Sequence, residues 1–189
     1  MSSPFLNSLE ESLETMQALR SLEDPLVKAA NAVLSALVAG GKILACGNGG
    51  SAADTAHLAT EFTCRFSGDR RPYPAIALAS DAGLLTAIAN DYAFKDVFSR
   101  QVWAYGKPGD ILIAFSTSGK SRNILSAIEE ARRRGMISIA FLGRDGGFTA
   151  GAADIELIVR GKVTARIQEA HKFLLHALCE IVETGLPKE

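Results

Sequence analysis

From residue 42 onward, five short runs are apolar at nearly every position, and stretches with helical spacing separate them: KILACG (42–47), AIALA (75–79), ILIAF (111–115), ISIAFL (137–142) and IELIV (155–159). A strand with one wet face alternates apolar and polar residues, whereas a strand that is apolar throughout is covered on both faces, as in a parallel sheet. Right-handed crossovers through the intervening helices then predict an α/β chain, a three-layer α/β/α sandwich around a five-stranded parallel sheet. The crossing helices are expected near 52–64, 82–89, 96–105, 121–134 and 166–183. Ahead of the first strand, Leu6, Leu9, Leu13, Met16, Leu19 and Leu22 recur at helical intervals over 5–22. Asp24 and Pro25 read as the N-cap and first residue of a second helix that stops at Gly40-Gly41. The expected organisation is one domain over 1–189, with an N-terminal helix pair (1–40) preceding an α/β core (41–189).

Composition narrows the function. A net charge of −1, from 20 basic and 21 acidic residues, leaves no basic footprint for nucleic acid, and 7% aromatic content is too little for base-stacking platforms. No 18-residue apolar stretch is present to span a membrane, and MSSPFLNSLEESLE lacks the basic and apolar regions of a secretory signal. A cytoplasmic protein is expected. Cys46, Cys64 and Cys179 are an odd, widely spaced set without CxxC, and they read as small buried hydrophobes in a reducing compartment.

Ligands of a parallel sheet sit at the carboxyl ends of its strands. The loop after the first strand, Gly47-Asn48-Gly49-Gly50-Ser51, opens a helix and presents backbone N–H groups to whatever lies there. It is not a dinucleotide loop: the glycine pattern is GxGGxA, and the next acidic residue at a strand end, Asp81, lies more than 30 residues on, where about 20 is needed. The loop after the third strand ends in Gly119-Lys120-Ser121 and imitates a P-loop, but Ala114 stands where the first Walker glycine belongs. What remains is a set of hydroxyls, Ser116, Thr117, Ser118 and Ser121, at a helix N-terminus. A helix needs one cap; this many hydroxyls point to a cradle for an anion such as phosphate.

His57 and Glu61 are spaced i, i+4 and share a helix face, as surface pair or as ligands of one group. Gln168 and His176 lie about 12 Å apart along an ideal helix. Either the last helix starts after Gln168 or these two residues do different work. His171 reads as a capping or core residue, and Asn90-Asp91 as a turn or a pair for sugar hydroxyls.

Together these segments resemble the sugar isomerase (SIS) domain, and within it the sedoheptulose 7-phosphate (phosphoheptose) isomerase family. The resemblance rests on GNGGSAADTAHLATEF (47–62), LTAIAND (85–91), FSTSGKSRNIL (115–125), GRDGG (143–147) and RIQEAHKFLLH (166–176). It implies a flavodoxin-like sheet and conversion of sedoheptulose 7-phosphate to D-glycero-D-manno-heptose 7-phosphate through an enediol, toward the heptose of surface polysaccharides. By position it assigns substrate binding to Asn48, Gly49, Gly50, Ser51, Asn90, Asp91, Ser116, Thr117, Ser118, Ser121 and Gln168. It assigns acid/base catalysis to Glu61 and His176. It assigns zinc, one ion per subunit, to His57, Glu61, Gln168 and His176. It further implies a homotetramer with sites between subunits. Ala165 departs from the pattern, standing where some members carry a substrate-touching aspartate. The alternative is a non-catalytic binding protein like the DnaA initiator-associating protein, which shares the scaffold but lacks the glutamate and the second histidine. A phosphosugar-sensing regulatory domain is a third option, but such domains come fused to others, and this chain has no room for one.

Overall fold

The computed structural model describes residues 3–187, so the ends of the expected 1–189 domain lie outside the described residues. Helix α1 (Pro4–Ala18) is capped by Ser3, whose hydroxyl accepts from the Leu6 N–H at 3.2 Å, and runs through a 3-10 turn (Leu19–Leu22) into α2 (Glu23–Val38). The expected Asp24 cap is therefore corrected. The backbone enters α2 already helical, Leu22 holds the cap position without a side-chain bond, and Asp24 and Pro25 sit in the first turn. A proline is tolerated there because its missing N–H would have had no partner.

The core alternates as expected: β1 (Ile43–Gly47), α3 (Gly50–Thr63), β2 (Ala75–Ala77), α4 (Ala82–Asp91), α5 (Ser99–Tyr105), β3 (Ile111–Ser116), α6 (Arg122–Arg133), β4 (Ile137–Gly143), β5 (Ile155–Val159) and α7 (Thr164–Gly185). All strand pairs are parallel, in the order β2-β1-β3-β4-β5. Alternate strand residues face two separate cores. Ile43, Ile113, Phe115, Phe141 and Leu157 pack with α2, α3 and α7 on one face. Leu44, Cys46, Leu112, Ala114 and Leu142 pack with α4, α5 and α6 on the other. Both sets are buried, which is why the strands are apolar at every position. The AIALA run is the exception: β2 is an edge strand of three residues, and Ile76 is 39% exposed.

The N-terminal helices differ from one another. α2 buries Leu26, Ala29, Ala30, Val33, Ala36 and Leu37 and belongs to the sandwich. α1 buries none of its residues and presents Phe5, Leu6, Leu9 and Leu13 to the exterior. Cys46 and Cys179 are buried as expected, burial pushing the Cys179 thiol up to about 12, so neither is a thiolate near neutrality. Cys64, at the end of α3, is exposed instead. Among the described residues no helix is long and apolar enough to cross a membrane.

Candidate active site

Two sites take shape, one in the loop that follows β3 and one between α3 and α7. The first is the 116–121 loop. β3 delivers Ser116 to the sheet edge, where its hydroxyl accepts from the Gly119 N–H at 3.1 Å and lies 3.4 Å from the Ser121 hydroxyl. Ser118 accepts from the Lys120 N–H at 3.1 Å. Ser121 holds the N-cap position of α6 in extended backbone, yet its side chain does not cap the helix. Among the described residues, the backbone N–H groups of Ser121, Arg122 and Asn123 find no acceptor. Unpaired N–H groups at the positive end of a helix, with hydroxyls beside them, have the chemistry to accept an anion.

The GRDGG segment explains how this loop keeps its shape. Gly119 adopts φ +62°, and a Cβ on it would collide with the Gly146 carbonyl. Thr149 donates to the Gly119 carbonyl from both its hydroxyl (2.8 Å) and its N–H (3.2 Å). The loop after β4 is thus pressed against the phosphate-type loop at backbone distance.

The second site lies where α3 and α7 run side by side. Their contacts advance together along both helices: Gln168 lies over Gly50, Lys172 meets Asp54 and His57, and His176 meets His57. The helices are therefore parallel, and i, i+4 steps on each place the polar residues on one seam. His57 Nε2 stands 2.6 Å from Glu61 Oε1 and 3.2 Å from His176 Nε2. Ligand atoms of His57, Glu61 and His176 lie within 4.8 Å of one another. The Lys172 ammonium donates to His57 Nδ1 at 3.0 Å and to Asp54 Oδ1 at 2.7 Å. Lys172 thus faces the Nδ1 side of His57, and the Nε2 side faces Glu61 and His176. Burial, and after it the neighbouring His57, holds His176 below the ordinary imidazole value and favours its neutral ring.

Of the residues expected from sequence, His57, Glu61 and His176 come together here. Gln168 does not join them within this chain. α7 is continuous from Thr164, so Gln168 and His176 are about 12 Å apart along it, and Gln168 stands with the first loop at Gly50. Of the two options for this pair, a helix that starts after Gln168 is excluded. Asn48 reaches α6 rather than α3: its amide exchanges hydrogen bonds with Asn123 at 2.9 and 2.8 Å. Ser51 is buried in the first turn of α3, and Gly49 is exposed beside it. Asn90 and Asp91 are exposed at the end of α4, bonded to each other at 2.9 Å and to neither site. His171 is a core residue between Phe115 and Phe141, donating from Nε2 to the Leu142 carbonyl at 3.2 Å. Burial lowers its pKa to about 4.

Asp54, Lys172 and Asn123 belong to these sites and carry no motif of their own. For Lys172 a signal existed: it stands midway between Gln168 and His176 at helical i+4 steps. Asp54 is 2% exposed, with Oδ2 unpartnered beside the seam.

Residues 4–143 match the family model described as the SIS domain. The phosphoheptose isomerase of Shewanella denitrificans is 47% identical over 184 residues, covering 95% of this chain and 94% of that protein. The solved phosphoheptose isomerase of Neisseria gonorrhoeae superposes with a TM-score of 0.90 at 44% identity, over 95% of this chain and 97% of that one. The corresponding structure from Francisella tularensis gives 0.88 at 40% identity, over 95% and 94%. Matched along nearly its whole length in both sequence and fold, the chain belongs to the SIS-domain family and, within it, to the phosphoheptose isomerases.

Proposed function

We propose that this protein is a phosphosugar aldose–ketose isomerase that converts sedoheptulose 7-phosphate to D-glycero-D-manno-heptose 7-phosphate. The observation that carries this is the convergence of Glu61 with His57 and His176 in a chain aligned end to end with phosphoheptose isomerases.

The chemistry asks for three things: a base for the proton on the first carbon, an acid for the oxygens of the enediol, and a grip on the remote phosphate. Glu61 is the base that takes the proton from the first carbon and returns it to the second. His176, held mainly neutral, exchanges the proton at the oxygens or assists opening of the sugar ring. Ser116, Thr117, Ser118 and Ser121, with the free N–H groups that open α6, hold the phosphate. Asn48, Gly49, Gly50, Ser51, Asn90, Asp91 and Gln168 are assigned to the sugar.

The donor set fits zinc, since two imidazole nitrogens and one carboxylate oxygen converge as in hydrolytic zinc sites that keep a position open for substrate. His57, Glu61 and His176 would hold the ion, and Gln168 is placed with the substrate loop. When bound, zinc supplies Lewis-acid polarisation of the sugar carbonyl.

We further assign a homotetrameric assembly with sites between subunits. The unburied apolar stripe of α1 supports it, because exposed stripes of this kind mark protein contacts. Asn90 and Asp91, exposed and hydrogen-bonded to each other rather than to either site, support it too. A cytoplasmic location accords with three free cysteines.

The test is turnover of sedoheptulose 7-phosphate followed by proton NMR in heavy water, for wild type and Glu61→Gln, each with and without zinc. The expected result is an aldoheptose signal carrying deuterium at the second carbon, reduced roughly 10²–10⁴-fold in the variant. A folded wild type that converts nothing under either condition overturns the proposal.

A further inference from the structure

The strand order creates a switch point between β1 and β3. The chain leaves β1 for α3 on one face of the sheet and leaves β3 for α6 on the other. Ligands of open α/β sheets lie in the crevice that opens there. The two strands are paired as far as Gly47 and Phe115, and beyond that point the loops part. Among the described residues, one direct hydrogen-bonded link rejoins them. Asn48 Nδ2 donates to Asn123 Oδ1 at 2.9 Å, and Asn123 Nδ2 donates to Asn48 Oδ1 at 2.8 Å.

The two partners are unequally held. Asn123 is 2% exposed on the second position of α6, a helix that packs into the core through Ile124, Ala127, Ile128 and Ala131. Asn48 is half-buried and is followed by Gly49 at φ +56° and by Gly50. A glycine pair of this kind leaves backbone freedom that only an outside tie removes. The reciprocal pattern needs an amide on each side: a carboxylate in either place sets oxygen against oxygen, and a hydroxyl is too short to answer twice. Each amide spends one N–H and one lone pair on its partner, so Asn48 keeps one of each, now aimed, for a sugar hydroxyl.

We propose that Asn123 is a positioning residue for the isomerisation. Its amide holds Asn48, and through it the 47–51 loop, at a set separation from the 116–121 loop, so that a phosphosugar bridging the two meets both without reorganising either. The inference rests on the phosphosugar reading given above.

The experiment measures KM and kcat for sedoheptulose 7-phosphate, the inhibition constant of inorganic phosphate, and Tm. It compares wild type, Asn123→Ala, Asn48→Ala and the double alanine variant. Inorganic phosphate needs only the 116–121 loop, whose backbone N–H at position 123 survives every substitution. Asn123→Ala is expected to raise KM about tenfold, the worth of losing such a pair, while the phosphate constant stays within about twofold. The double variant is expected to be no worse than the worse single one, because both break the same link. Should Asn123→Ala fail to fold, Asn48→Ala, which leaves the packing of α6 untouched, is expected to show the same split. Unchanged KM in the variants of an active enzyme overturns the inference alone. So does a phosphate constant that rises in step with KM, which would place Asn123 in the anion cradle, and so do additive losses. A wild type that turns over no phosphosugar overturns the isomerase reading and this inference with it.

Discussion

The 116–121 loop and the α3–α7 seam are both polar, but their polarity is of opposite kinds. Along the loop the groups aimed inward are hydroxyls and backbone N–H, and the charged Lys120 is exposed beside them. Along the seam five ionisable side chains form an unbroken chain of contacts, Asp54 to Lys172 to His57, and from His57 to both Glu61 and His176. Neutral donors grip an anion with a strength that does not change as protons move. Coupled ionisable groups exchange protons because each neighbour shifts the other. The difference separates holding from chemistry, and it suits a reaction in which the phosphate is a handle and the far end of the sugar reacts.

Substitutions on the two sides should therefore split kcat from KM. The largest effect belongs to the seam: His176→Ala is expected to lower kcat roughly 10²–10³-fold while KM stays within about threefold. Steady-state kinetics on the heptose phosphate check this, and a change confined to KM would break the division.

The next effect uses a second histidine on the same helix. His171 is fully buried and neutral, whereas the unfolded chain takes up a proton on this ring below the ordinary imidazole value of 6.5. The unfolded state then binds more protons than the folded one, so stability is complete above that value and is lost as pH falls toward about 4. The loss attributable to His171 is about 3 kcal/mol across that window. Denaturant melts of wild type and His171→Phe from pH 7.5 to 4.5 should show a flatter dependence in the variant. Parallel curves would remove His171 as the source.

The smallest effect belongs to the loop. Ser118→Ala combined with Ser121→Ala is expected to raise KM about tenfold and to leave kcat nearly unchanged, as for the loss of one or two hydrogen bonds to a charged ligand. Matched losses in kcat would mean that the hydroxyls act on the reacting carbons.

Some of this architecture could be read from one dimension. Runs such as ILIAF announce a sheet covered on both faces because burial on two sides removes any alternation. The hydroxyls of FSTSGKS announce an anion loop because they outnumber what one helix cap needs. His57 and Glu61 are neighbours on any helix. Other features resisted. The Asp24-Pro25 pair looks like a cap, but α2 starts earlier because a 3-10 turn delivers a backbone already helical. AIALA shortens to three residues because it becomes the sheet edge. Asp54 and Asn123 have no local signature, Lys172 has only its i+4 spacing between Gln168 and His176, and their partners lie far along the chain.

Periodicity along the chain was enough for the layers and the strand count, and residues close in the chain were enough to pick out the hydroxyl-rich 116–121 loop and the His57–Glu61 pair. The tertiary structure decided that α3 and α7 run parallel and bring His176 to His57, that Gln168 stands with Gly50 instead, and that Asn48 is held by Asn123 across the switch point. Those pairings join residues separated by 119, 118 and 75 positions. Separations of that size leave no periodic trace, and only packing sets them.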